Sequence, residues 1–158
     1  MGYSTYFDGS FELSRKLTVS EINILLAMSV EETPEEFEDD KDIPRSYGCP
    51  WVPYAIKDNR PTHLERGVTG PDLEVILVPI NEEKVYDWDT WAAYLVEKLF
   101  VRWGVEASGR VAWQGEDTGD SGVIFAKGNK VKLVNIHELA EFMEDNCDDL
   151  YEDHGEMV

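Results

Sequence analysis

Residues 3–13 alternate: Tyr3, Thr5, Phe7, Gly9, Phe11 and Leu13 fall on one side, with Ser4, Asp8, Ser10 and Glu12 on the other. A period of two predicts a strand with one buried face. The period then changes. Thr18-Val19-Ser20-Glu21 has the form of a capping box, and Ile22, Leu25, Leu26 and Ser29 carry it on as an amphipathic helix that ends near Val30. Over 31–70 there is little periodicity and frequent proline and glycine, so most of that stretch is expected to be irregular. Its run Cys49-Pro50-Trp51-Val52-Pro53-Tyr54 is apolar enough to pack on a core even without regular structure.

The second half of the chain is more regular. Residues 73–80 (LEVILVPI) have the length and β-branched content of a buried strand, with Pro79 marking its end or an edge. Trp88, Trp91, Ala92, Leu95, Leu99 and Trp103 recur at helical spacing after Asp87, a good N-cap residue, and before Gly104, a left-handed stop. Three tryptophans on one helix face read as core in preference to a ligand cleft. Val105, Ala107, Gly109, Val111 and Trp113 alternate with polar residues as a further strand. Residues 122–127 and 130–135 flank Gly128-Asn129, a two-residue connection suited to a primed hairpin turn. Asn135, with Glu138 three residues on, then opens a final helix.

The predicted order is β-α-loop-β-α-β-β-β-α. Sequential strands joined by short turns give an α+β fold, a mainly antiparallel sheet with two to three helices packed on one face. A single domain over 1–158 is expected, with an acidic irregular insertion at about 31–70 and an acidic C-terminal helix or tail at about 135–158. At 158 residues such a chain buries roughly two-thirds of its unfolded surface.

Two stretches carry a resemblance. The opening MGYSTYFDGSFEL, and EKVYDWDTWAAYL followed by GRVAWQGEDTGDSGVIFAKGNKV, together about three-tenths of the chain, resemble an uncharacterised family of small hypothetical proteins of phages, prophages and their bacterial hosts. The resemblance implies a recurrent fold and a phage or mobile-element context. It implies no activity and no catalytic residues, and it does not extend over the acidic segments.

Charge changes the picture more than composition does. The formal net charge is −19, yet 31–42 contributes −7 and 133–158 contributes −9, which leaves the rest of the chain at −3. Adaptation to high salt would scatter acids over every exposed position, so two dense blocks on a nearly balanced domain point instead to a partner. Dense anionic surface repels nucleic acid and membrane phosphates and attracts basic protein surfaces. No stripe of basic and aromatic residues supports direct nucleic-acid binding. Lys127, Lys130 and Lys132 read as edge charges that discourage strand pairing. There is no signal-peptide pattern near Met1 and no run of about 20 apolar residues to cross a bilayer. A cytoplasmic location is expected, in the host cell if the protein is phage-encoded.

Candidate chemistry is sparse. Cys49 and Cys147 are expected to be free thiols, and His63, His137 and His154 show no ligand spacing, so neither a metal site nor a cofactor is implied. Glu116, Asp117 and Asp120 cluster at the end of a strand, where carboxylates could bind a divalent cation or act as acid and base. Their spacing is not that of a calcium loop, and a turn between antiparallel strands explains the same residues. The final helix is more informative. Ile136, Leu139, Ala140, Met143, Cys147 and Leu150 share one face, while Glu138, Glu141, Glu144, Asp145, Asp148, Asp149 and Glu152 fan across the other without an interleaved cation. Like charges three and four apart destabilise a helix, and the dipole disfavours acids at its C-terminal end. From Glu138 to Glu152 these seven carboxylates would span roughly 21 Å, about half the charge density of duplex DNA.

Glu35, Glu36, Glu38, Asp39 and Asp40 in the first block would extend that footprint. The leading expectation is a non-enzymatic, DNA-mimic-like inhibitor or anti-defence protein docking on a basic surface of a host nucleic-acid-binding or defence protein. One alternative is a small metal-dependent enzyme centred on the 115–120 loop; another is a structural or homo-oligomeric protein with a generic acidic surface, associating through Trp51 and Tyr54. The sequence leaves the oligomeric state open.

Overall fold

The computed structural model describes residues 4–44, 48–80 and 85–139. The alternating opening segment forms strand β1, Thr5–Leu13, with Phe7 and Phe11 directed inward. Seven strands make one antiparallel sheet. Strands β2 (Trp51–Lys57) and β3 (Arg60–His63) form a hairpin, β4 is Val75–Pro79, β5 is Ala107–Gly115, β6 is Ser121–Lys127 and β7 is Lys130–Asn135. Their spatial order is β3-β2-β4-β1-β5-β6-β7, which places the first strand in the centre. β1 pairs with β5 along its whole length, from Thr5 opposite Gly115 to Leu13 opposite Ala107. The two backbones come so close that a Cβ on Gly9 would stand 2.5 Å from the Arg110 carbonyl oxygen, and Gly9 holds φ at 122°. Glycine is the residue for such a site.

Within 4–44, 48–80 and 85–135 the helices lie on one face of the sheet. Helix α1, Val19–Ser29, begins with the expected capping box: the Glu21 amide donates to Thr18 Oγ1 (3.1 Å) and the Thr18 amide to Glu21 Oε1 (2.9 Å). Arg15 grips the same carboxylate bidentately at 2.8 and 2.9 Å. That hydrogen bond holds the Glu21 carboxyl below its ordinary range, despite partial burial. α1 packs on β2. The tryptophan-rich run forms α2, Trp88–Tyr94, then a π-helical turn, Leu95–Leu99, then α3, Phe100–Trp103, closed by Gly104 at φ 70°. The spacing of its apolar residues predicts a single α-helix there. The wider turn rotates α3 relative to α2, so Phe100 enters the core while Val101 faces water. Asp87 stands at the N-cap position as expected but does not cap with its side chain; it is left-handed, and its carbonyl accepts from the Trp91 amide.

The β2–β3 hairpin corrects the expectation of an irregular 31–70. Pro53 and Pro61 argue against strands, but both sit where no ladder donor is required. The ladder between β2 and β4 runs through the even-numbered positions of β2: the Pro50 carbonyl accepts from the Ile80 amide and the Ile56 amide donates to the Glu74 carbonyl. The Pro53 nitrogen therefore points towards the β3 side, beyond the end of β3 at His63. Pro61 points outward from the sheet edge. The connection, Asp58-Asn59, has both residues at positive φ (52° and 63°), as a type I′ turn demands. Pro79 is the last residue of β4, as expected.

The core lies between the sheet and the helices. Trp51, 0% exposed, stacks on Phe11 with ring centroids 5.0 Å apart and donates its indole N–H to the Trp88 carbonyl (2.8 Å). Its burial removes it from any association surface, contrary to the homo-oligomer alternative; Tyr54 is half-buried on the opposite face. That face carries no helix among 4–44, 48–80 and 85–135, and exposes Asp8, Glu12, Arg110 and Gln114. The fold is α+β, a mainly antiparallel sheet with helices packed on one side, and among the described residues no helix is long and apolar enough to cross a membrane.

Candidate functional site

The 115–120 segment is a connection between β5 and β6, and two of its carboxylates bond to the protein itself. Glu116 Oε1 accepts from the Ser4 amide (2.8 Å). Asp120 Oδ1 accepts from the Trp113 indole (3.1 Å), and the Asp120 amide donates to the Asp117 carbonyl (3.1 Å). Asp117 is exposed. Among the described residues no group of three or more His, Cys, Asp and Glu side chains is placed to hold a metal ion.

The first acidic block is better ordered than its sequence implies. After α1 the chain turns at Glu31, which is left-handed at φ 61°, and forms a 3-10 turn, Glu35–Phe37. Phe37 is buried, and the Arg102 guanidinium of α3 lies 5.3 Å from its ring centroid. Ile43 is buried as well. Between them Asp40 turns inward, its side chain 9% exposed. It accepts from the Tyr94 hydroxyl (2.8 Å), the Asp42 amide (2.9 Å) and Arg102 (3.3 Å). Burial alone would raise the Asp40 pKa; these donors outweigh it and lower the value, while burial and the Asp40 carboxylate raise that of Tyr94. Asp40 therefore belongs to the anchor and not to the partner-facing set in which its sequence placed it. Glu35, Glu36, Glu38 and Asp39 are all exposed. Glu32 pairs with Arg66 at 2.6 Å on the surface, a contact worth little in itself.

The second acidic block is described only at its start. The His137 amide donates to Asn135 Oδ1 (2.9 Å), residues 136–139 begin a helix, and Glu138 is exposed. Glu141, Glu144, Asp145, Asp148, Asp149 and Glu152 lie outside the described residues.

A groove next to the first block left no mark in the sequence pattern. About 290 Å³ in volume, it runs along the end of α1 and is lined in part by Val30, Glu31, Pro50, Ile80 and Tyr86. Its floor includes Cys49, whose amide donates to the Met28 carbonyl (3.0 Å). Burial pushes the Cys49 thiol up to about 12, which makes it an inert packing residue. Val30 and Tyr86 come from segments 56 positions apart, so no periodicity links them.

No family model, no curated protein and no solved structure matches this chain.

Proposed function

We propose that this protein is a non-enzymatic, phage-encoded binding protein, acting in the host cytoplasm, whose acidic surfaces occupy a basic protein surface. The partner chemistry is that of a host nucleic-acid-binding or defence protein, whose cationic groove ordinarily holds phosphates, so that the protein acts as a DNA-mimic-like inhibitor. The observation that carries this is the anchoring of the first acidic block. Phe37 and Ile43 are buried and Asp40 is clasped by Tyr94 and Arg102, so Glu35, Glu36, Glu38 and Asp39 leave the surface from a braced segment. Charges on a braced backbone are pre-organised, and binding then loses less conformational entropy. The acids of 138–152 extend the same logic from their sequence pattern.

Electrostatic capture of this kind fades with salt. A pull-down from host lysate at low and high ionic strength tests it: a partner held at low salt should be released at high salt, and lost when Glu35, Glu36 and Asp39 are replaced by lysine. Retention at high salt by that triple variant would overturn the proposal. A carboxylate-centred metal enzyme has less support, because Glu116 and Asp120 already serve as hydrogen-bond acceptors within the fold.

A further inference from the structure

The groove at the end of α1 and the acidic block share a residue. Glu31 lines the groove and is also the first carboxylate of the block. Val30 and Tyr86, 51% and 43% exposed, flank the same depression. Exposed apolar side chains are ordinary singly, but paired across one hollow they make a surface that gains by being covered. The hollow is built closely: a Cβ on Gly48 would stand 2.6 Å from the Ser29 carbonyl oxygen, so the chain reaches the end of α1 only because that residue is glycine. Its volume lies at the lower limit for drug-sized ligands, which suits a single large side chain.

We propose that this groove is the anchoring slot of the docking surface, and that it takes an apolar side chain from a basic segment of the partner protein. The inference rests on the reading of the acidic block as a docking surface, and it specifies the chemistry of what docks. Charge selects the occupant: the block 31–42 carries −7, so a segment seated in the groove must bring lysine or arginine beside its anchor. Flanking cations reach Glu31 and the carboxylates beyond it, and the aliphatic stems of those cations lie along Val30. An apolar centre with a charged rim is the usual anatomy of a specific interface. A phosphate-mimicking strip alone would have no use for it.

The test is a pair of peptides titrated into the isotope-labelled full chain and followed by NMR. One is acetyl-Lys-Arg-Leu-Arg-Lys-amide and the other has serine in place of the leucine, so their charges are identical. The leucine peptide should shift the resonances of Val30, Glu31 and Tyr86 and bind about tenfold more tightly, the value of burying one such side chain. In about 1 M salt, where the Debye length is only about 3 Å, both peptides should weaken together while the leucine peptide remains the tighter of the two. Val30→Ser should abolish the difference between the peptides without unfolding a chain in which this side chain is exposed. If both peptides bind equally and shift only the 32–42 resonances, the groove is not the anchor and the docking surface stands without it. If neither shifts any resonance of 31–42, the docking surface itself is refuted.

Discussion

Asp39 and Asp40 are adjacent and chemically identical, yet one faces water and the other holds the acidic block to the helices. The difference is legible only in three dimensions, because it depends on Tyr94 and Arg102, more than fifty positions away. It has a pH signature. Unfolded, the Asp40 carboxyl takes up its proton near 3.8; folded, it does so at lower pH. Its contribution to stability is therefore full above the unfolded value and lost as pH falls through the folded one. Asp40→Asn should cost about 1–3 kcal/mol at neutral pH, and urea melts at neutral pH and near the unfolded value should show the variant losing less on acidification than the parent. Tyr94, with its pKa raised, keeps its donor proton throughout that range. A second residue-scale prediction concerns Gly122. A Cβ there would overlap the Val134 carbonyl oxygen and stand 2.5 Å from the Trp113 ring, so Gly122→Ala should lower stability by about 1–3 kcal/mol, read as a fall in the urea midpoint.

Elements with local signals were readable from the chain. The capping box of α1, Gly104 after α3 and Gly128-Asn129 between β6 and β7 all act within a few residues, and each stands where the sequence placed it. The β2–β3 hairpin escaped because its turn is Asp58-Asn59, with no glycine, and because both strands contain proline. Asn59→Gly should relieve the left-handed strain and raise stability by a few tenths to about 1 kcal/mol, measurable as a higher thermal midpoint. The π turn has no sequence signal, but it has a consequence at the sheet edge. From that turn Glu97 Oε2 accepts the outward-pointing amide of Val131 on edge strand β7 (2.9 Å), while Lys130 and Lys132 charge the same strand. Glu97→Ala frees that donor, and sedimentation velocity should then show more concentration-dependent association than the parent does.

At the scale of the molecule, the α+β class and the inward face of the sheet followed from alternation, which reports burial directly. Phe7, Phe11, Val111 and Trp113 all fall on the expected side. The groove did not follow, because Val30 and Tyr86 meet only after the sheet has folded. Charge was legible as a quantity and not as a shape: the sequence places −7 within twelve residues without distinguishing the carboxylate that anchors from those that face outward. For the whole protein, neutralising Glu35, Glu36 and Asp39 together as amides should leave a folded chain with a cooperative thermal transition, since exposed substitutions away from special features stay within about 0.5 kcal/mol each. The same variant should lose most of its affinity for the basic leucine peptide at low salt, as measured by calorimetry.

Within 35–43 the inward residues Phe37, Asp40 and Ile43 are interleaved with the outward Glu35, Glu36, Glu38 and Asp39. That interleaving separates two kinds of heritable change. Mutation at the inward positions breaks the mooring and is purged along with the fold, whereas mutation at Glu35, Glu36 or Asp39 changes the charge presented to solvent at little structural cost. Under the proposed docking, a lineage whose target drifts can therefore follow it one surface letter at a time, on a scaffold that need not change.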